Sequence, residues 1–171
     1  MRARRTQHGR TMELHVVPVE LPADANVIVG QAHFIKTVVD LHETLASASP
    51  TLRFGVAFCE ASGPRLVRRS GNDDELTAAA VDAALAIGAG HSFVVFLRAG
   101  FPLNVLDRIR AVPEVVGIFC ATANPLEVLV AETAAGRGIV GVIDGQVPSG
   151  VETDDDVAVR LQLLRDIGYR V

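Results

Sequence analysis

Gly88-Ala-Gly-His-Ser-Phe-Val-Val-Phe-Leu-Arg98 is the stretch of sequence that decides the fold. Its two glycines are typical of a helix C-terminus, and Ser92–Leu97 is an apolar run with the length of a buried central strand. The preceding residues, Leu76–Ile87, are strongly helical, and Asn72-Asp-Asp-Glu75 supplies a cap and acids for the first turn. A helix that passes through a glycine turn into a central strand predicts an α/β domain.

Hydrophobic periodicity predicts the remaining elements on either side of this stretch. The predicted strands are residues 13–20, 26–30, 52–59, 65–69, 92–97, 115–121, 126–132 and 138–143, and the predicted helices are residues 33–46, 76–87, 102–110 and 153–167. Because hairpins and crossovers are interleaved, we expect an α/β fold of the α+β type. It is a single domain over residues 12–171, with a mixed β-sheet that carries helices on its faces.

Charge and composition exclude several classes of function. The 171 residues include 16 basic and 20 acidic side chains, and only 5% are aromatic. Four of the arginines lie in residues 1–11, which contain no acid and which we expect to be a disordered N-terminal extension outside the domain. The acidic remainder repels phosphate backbones and offers few aromatic platforms for bases, so we expect no nucleic-acid polymer as partner.

Targeting and cysteine signals are equally sparse. No apolar run approaches the ~18 residues of a membrane-spanning helix and the N-terminus lacks a signal peptide, so we expect a cytoplasmic protein without a membrane partner. Cys59 and Cys120 lie in apolar strands without nearby histidines, which favours reduced thiols over a zinc site or a redox pair.

The first candidate for chemistry is Gly30-Gln-Ala-His-Phe-Ile-Lys-Thr37. It follows a strand and opens a helix as a phosphate-binding P-loop does, but Ile35 stands where the P-loop requires its second glycine. The pattern that is left predicts a weaker anion site, with Lys36, the only lysine of the chain, and His33 near free N–H groups of the helix start. The alternative is an ordinary amphipathic helix with solvated polar side chains.

The second and third candidates flank the central strand and its neighbour. In Gly88-Ala-Gly-His91 the glycines permit a tight turn, and His91 can act as base, acid or phosphoryl acceptor. In Cys59-Glu-Ala-Ser-Gly-Pro-Arg65 a carboxylate, a hydroxyl and a guanidinium share one loop. The alternatives are a structural histidine after a helix cap and a hairpin turn with an exposed ion pair.

Other polar residues also fall where strands end or helices begin. They are Arg98, Asn104, Asn124 and Arg137, together with the acids Glu132, Asp144 and Asp154–Asp156. Carboxylates such as these can hold Mg²⁺ where a fold brings them together, but their spacing does not identify a metal, and the aspartate run is typical of a helix start.

Several stretches taken together resemble the adenosine-specific kinases, a small prokaryotic family. The segments that carry the resemblance are Val29–Thr37, Phe54–Leu66, Gly88–Arg98, Asn104–Leu106, Ala121–Leu126, Val130–Thr133 and Gly136–Gly138. The resemblance covers the chain from about Met12 to the C-terminus and leaves out the basic residues 1–11.

The resemblance implies a phosphotransferase that binds adenosine and AMP in preference to ADP and ATP and carries a phosphorylated histidine. His91 is the preferred phosphohistidine and His33 the alternative, with Lys36 able to stabilise added negative charge. Arg65, Arg98 and Arg137 are expected phosphate partners, Glu60 and Asn124 expected ribose or adenine contacts, and Ser62 and Asn104 further ligand contacts. The resemblance also implies a homo-oligomer, a trimer or a multiple of three. A binding sensor without turnover is the competing interpretation.

Overall fold

The structure, a computed structural model, describes residues 11–171. The strands are β1 (Glu13–Val19), β2 (Asn26–Ala32), β3 (Arg53–Cys59), β4 (Val67–Gly71), β5 (Ser92–Arg98), β6 (Val115–Thr122), β7 (Leu126–Thr133) and β8 (Gly136–Asp144). The helices are α1 (Thr37–Ala46), α2 (Asp74–Ile87), α3 (Leu106–Arg110) and α4 (Asp154–Asp166), with a 3-10 turn at Pro102–Asn104. The predicted single-domain α/β fold is confirmed.

The strands divide between two sheets. Five of them form a sheet in the order β4-β3-β5-β2-β6, and three form a sheet in the order β1-β7-β8. Each ladder within residues 11–171 is antiparallel. Strand β5 occupies the centre of the larger sheet, as its continuous apolar sequence predicts, because a strand buried on both faces has no polar alternation.

Two cores cover the two faces of the larger sheet. Helix α2 and the three-stranded sheet pack on one face, against side chains that include Val94 and Phe96. Helices α1 and α3 pack on the other face, against Phe93 and Val95 from the same strand. Successive residues of β5 therefore point into different cores, as the pleat of a strand requires. We call the second face the α1 face.

Helix α2 lies unusually close to strand β3. A Cβ atom built on Gly55 would lie 2.3 Å from main-chain atoms of Leu76 and Thr77, so only glycine permits this approach. The helix begins where Asp73 accepts a hydrogen bond from the Leu76 N–H at 3.0 Å, and it ends at Gly88 in the left-handed conformation with φ 61°. The start and end of α2 are thus fixed by the cap and glycine signals of the sequence.

Two predicted helices have different bounds. Helix α1 begins at Thr37 rather than at His33, because the His33 N–H donates to the Glu114 carbonyl at 3.0 Å and the residues up to Lys36 form turns. The segment 102–110 is a 3-10 turn followed by the short α3, with Val105 between them outside helical geometry at φ −126°. The predicted extension at residues 1–11 lies, except for Thr11, outside the described residues.

Candidate functional site

The five-stranded sheet has two chemically different ends. We call one the His91 end; it is formed by residues 32–36, 59–67, 88–92 and 114–115, where β2 and β3 finish and β4, β5 and β6 begin. The opposite end, formed by residues 24–26, 71–75, 98–104 and 122–124, is the Arg98 end. The two ends are separated by the length of β5, about 23 Å at the usual rise per strand residue.

At the His91 end, His91 is held by its backbone and leaves its ring at the surface. Its N–H donates to the Cys59 carbonyl at 2.7 Å, and its carbonyl accepts from the Ala32 N–H at 2.9 Å. The residue is partly exposed, and its ring stacks on Phe58, with 5.8 Å between ring centroids and 19° between planes. The residue adopts φ 63°, a left-handed conformation that is unfavourable for a residue with a side chain. Backbone strain of this kind is concentrated at functional sites.

A cleft of about 440 Å³ lies on the α2 side of the sheet and is lined by Gly90, the residue before His91. It is lined by Cys59, Glu60, Ala61, Arg65, Leu66, Val67, Ala84, Leu85, Gly88, Gly90, Ala135, Gly136 and Arg137. The lining is mainly aliphatic, with a few convergent polar groups, and the volume is in the range of small-molecule sites. We call it the Arg65 cleft.

Two arginines border the Arg65 cleft in different states. Arg137 is neutralised, because its Nε and Nη2 both lie 2.8 Å from a Glu132 carboxylate oxygen, and its Nη1 donates to the Ala86 carbonyl at 3.4 Å. Arg65 is exposed, adopts φ 53°, and forms no ion pair with residues of the described range. Arg65 therefore retains all its donors for a ligand.

Glu60 and Ser62 belong to the loop that presents Arg65. The Glu60 carboxylate accepts from the Leu66 N–H at 3.1 Å and from Arg68 Nη2 at 3.1 and 3.2 Å. These contacts, the Leu66 N–H first, hold the pKa of Glu60 below its usual value. Ser62 is exposed, and its carbonyl accepts from the Arg65 N–H at 3.3 Å. Glu60 thus closes the loop on which Arg65 is carried.

His33 and Lys36 lie on the α1 face of the same end. His33 is exposed and its ring stacks on Phe34 with 6.4 Å between centroids. The Lys36 ammonium hydrogen bonds to Asp40 and lies 3.6 Å from Glu114 Oε1. Its pKa is raised, chiefly by the hydrogen bond to Asp40. Two carboxylates therefore hold this cation at the start of α1.

Glu114 is a residue of this end that sequence reasoning missed. It is 7% exposed, and its Oε2 is buried without a hydrogen-bond partner. The available signal is an acid placed at the very start of an apolar strand, immediately after Pro113. Acids are rarely buried without full pairing, so Glu114 is a candidate for ligand binding that does not depend on the histidines.

The other three predicted ligand residues lie at the Arg98 end. Arg98 forms a two-fold ion pair with Glu75, at 2.9 and 3.0 Å, and donates to the Ala23 carbonyl at 2.8 Å. Asn104 Oδ1 accepts from the Phe101 N–H at 2.9 Å. Asn124 donates to Asp144 at 3.0 Å. The structure therefore brings seven of the predicted residues to the His91 end and separates Arg98, Asn104 and Asn124 from them.

Metal and membrane signals add no further site. Within residues 11–171, no three His, Cys, Asp or Glu side chains are grouped so that they could hold a metal ion. The helices of that range are too short or too polar to cross a membrane. Both cysteines are free thiols, as predicted, and burial raises the pKa of Cys120 to about 11.

Comparisons with known proteins agree with this architecture. A family model described as adenosine specific kinase matches residues 17–170. Among solved structures, the crystal structure of PH1918 protein from Pyrococcus horikoshii OT3 is similar, with 42% sequence identity and a TM-score of 0.90 over 94% of this chain and 99% of that chain. No curated protein sequence matches at a significant level. Since the family model covers nearly the whole described chain, the protein belongs to the adenosine specific kinase family.

Proposed function

We propose that this protein binds adenosine and AMP in the Arg65 cleft and transfers a phosphoryl group through His91. The observation that carries the proposal is the position of His91. The residue is partly exposed, directly follows Gly90 in the lining of the cleft of about 440 Å³, and lies between two cationic side chains along the sheet end, Arg65 and Lys36. A nucleophile next to a concave site with fixed positive charge is suited to phosphoryl transfer.

The chemistry follows from the groups present. An imidazole nitrogen of His91 attacks the γ-phosphorus of a nucleoside triphosphate, the N–P bond forms, and the nucleoside diphosphate leaves with the bridging oxygen. In the second step the 5′-hydroxyl oxygen of adenosine attacks the same phosphorus and gives up its proton to a base, the N–P bond breaks with its electrons returning to the His91 nitrogen, and AMP is formed. Arg65, which forms no ion pair with the described residues, stabilises the charge on the equatorial oxygens during both steps.

The lining of the Arg65 cleft is suited to a purine base. The described lining contains aliphatic side chains and glycines and no aromatic ring. Adenine would be held by Leu66, Val67, Leu85 and main-chain groups, as the low aromatic content of the sequence leads us to expect. Ile35, at the position of the missing P-loop glycine, is consistent with a preference for the mononucleotide over ATP.

Labelling tests the histidine directly. The protein is incubated with γ-labelled ATP, with and without Mg²⁺, and label is followed into protein and then into added adenosine. We expect His91→Ala to abolish labelling and His33→Ala, the alternative phosphohistidine at the same end, to retain it. Labelling lost in His33→Ala and retained in His91→Ala would reverse the assignment. Tight AMP binding with no label in any variant would instead identify a non-catalytic AMP or adenosine sensor.

We also propose a homo-oligomer, which the family resemblance leads us to expect as a trimer or a multiple of three. Helix α4 supports it, because it contains no buried residue, and Val159 and Leu163 of the helix and Ile167 directly after it are 58–69% exposed. Exposed apolar faces of this kind are typical of subunit interfaces. Light scattering on the eluting protein tests the proposal, and a monomer at micromolar concentration would contradict it.

A further inference from the structure

The carboxylate of Glu114 is buried and incompletely paired. The residue is 7% exposed, and its Oε2 atom has no hydrogen-bond partner among the described residues. Oε1 lies 3.6 Å from Lys36 Nζ, which is an ion-pair distance but longer than a hydrogen bond. The main chain of Glu114 is fixed, since its carbonyl accepts the His33 N–H at 3.0 Å. The main chain of Glu114 is thus anchored, while its carboxylate accepts no hydrogen bond within the described chain.

An incompletely paired, buried carboxylate is unfavourable in free energy unless a bound molecule supplies a hydrogen-bond donor. A buried carboxylate loses its hydration and must recover it from hydrogen bonds, and such groups in native proteins are nearly always satisfied. Lys36 compensates only in part, because the same ammonium hydrogen bonds to Asp40 and more than half of its side chain, 56%, is exposed. The unused acceptor capacity is therefore available to a bound molecule that carries a hydroxyl or an N–H group.

Glu114 and His91 are placed to act on one ligand. His91 is bonded to β2 at Ala32, and Glu114 is bonded to the next residue, His33, from the other side of that strand. Their main chains are therefore two strand spacings apart, about 10 Å. Both side chains lie on the α1 face, because the ring of His91 stacks on Phe58 of that core and Glu114 meets Lys36 at the start of α1.

We propose that Glu114 is the acceptor for the 5′-hydroxyl of adenosine, and that it makes this end of the site selective for the nucleoside over the mononucleotide. The inference rests on the proposed function, with the base in the Arg65 cleft and the ribose reaching over the sheet end to His91 and Glu114 on the α1 face. In the transfer step the hydroxyl oxygen forms the new O–P bond, its proton passes to the Glu114 carboxylate, and the N–P bond electrons return to the His91 nitrogen. AMP has no proton on that oxygen and adds negative charge, so the same carboxylate disfavours it.

Calorimetry with three ligands tests this without requiring turnover. Wild type is expected to bind adenosine about tenfold or more tightly than 5′-deoxyadenosine, because a hydrogen bond to a charged acceptor is lost. In Glu114→Gln this ratio should fall to about one, while the affinity for AMP rises by about threefold to tenfold. Opposite changes for adenosine and AMP distinguish a direct contact from general damage, which weakens both.

Asp40→Asn is the matched control, since it removes the other carboxylate on Lys36 and leaves Glu114 in place. It should preserve the preference for adenosine over 5′-deoxyadenosine. Glu114→Asp, which retains the charge and shortens its reach, should give an intermediate ratio and serves if Glu114→Gln does not fold. An unchanged ratio in the folded Glu114 variant, or an equal loss in Asp40→Asn, overturns this inference while the proposed function stands. If wild type binds neither adenosine nor AMP, the proposed function fails first.

Discussion

Both ends of the five-stranded sheet carry polar side chains, but these side chains have different partners at the two ends. At the Arg98 end the side chains are bonded to one another: Arg98 to Glu75, and Asn124 to Asp144. At the His91 end Arg65 forms no ion pair with any described residue, and Glu114 Oε2 accepts no hydrogen bond. A polar side chain bonded within the protein contributes to the fold, whereas one left without a partner is available to a ligand. The difference shows why residue type alone does not locate a binding site.

Arginine substitutions test this comparison with the largest expected effect. Arg65→Ala should lower the affinity for AMP by about tenfold to hundredfold, because a charge-assisted bond to phosphate is lost. Arg98→Ala, the matched control, should leave affinity within about twofold and lower the melting temperature. Calorimetry and thermal unfolding measure both. Equal affinity losses in the two variants would show that the ends do not differ as described.

Asn72→Ala concerns stability at the Arg98 end. Asn72 Oδ1 accepts from the Phe54 N–H at 2.8 Å, and Nδ2 donates to the Leu52 carbonyl at 2.9 Å. Losing both bonds should lower the free energy of unfolding by about 2 kcal/mol. Denaturant titration measures it, and AMP affinity should not change. A weakened affinity with unchanged stability would assign a binding role to this end.

Substitution of the left-handed residues should have a smaller effect on stability, and it should affect phosphoryl labelling at only one of the two ends. Ala99 at the Arg98 end adopts φ 54°, and His91 adopts φ 63°. Replacing either residue by glycine relieves strain in the folded state, which stabilises the protein, but increases the freedom of the unfolded chain, which opposes this gain. The free energy of unfolding should therefore rise by about 0.5 kcal/mol in each variant, and by less for His91, which also loses its stacking. Only His91→Gly should abolish labelling. A destabilised Ala99→Gly in denaturant titration would contradict the strain.

The smallest expected difference between the two ends is in the pH dependence of AMP affinity at acid pH. The pKa values of Glu60 and Glu75 both lie below the ordinary 4.5, through the Leu66 N–H for the first and Arg98 for the second. The stability that each ionised carboxylate contributes to the folded protein is therefore fully present above pH 4.5 and is lost as the pH falls through the lowered pKa. AMP affinity below that pH should become less pH-dependent in Glu60→Gln and remain as in wild type in Glu75→Gln. Identical affinity profiles for the two variants would exclude a special role for the Glu60 loop.

The elements of the fold could be predicted because their signals are local. The Asp73 cap, the Gly88 turn and the apolar run of β5 each lie within a few residues of the element that they define. The start of α1 could not be predicted, since it depends on a bond between His33 and Glu114, which are far apart in the sequence.

The candidate site was predictable only in part, for the same reason. Arg65 and Arg98 are both arginines at strand ends, and nothing near Arg98 in the sequence shows that Glu75 will be its partner. Glu114 was missed because an acid after a proline is ordinary in a loop, and its burial is a property of the packed sheet and α1. Pairing across the fold, rather than residue type, distinguishes side chains that are available to a ligand from side chains that are bonded within the protein.

The close packing of α2 against Gly55 limits how this sequence can vary. Every other amino acid carries a Cβ, and at this position a Cβ would overlap the main chain of α2 at 2.3 Å. Any missense change in the Gly55 codon should therefore displace the helix whose C-terminal turn leads to the Arg65 cleft. No single amino-acid substitution at this position should be neutral. We therefore expect related sequences to vary in the cleft lining while Gly55 changes only by synonymous codons.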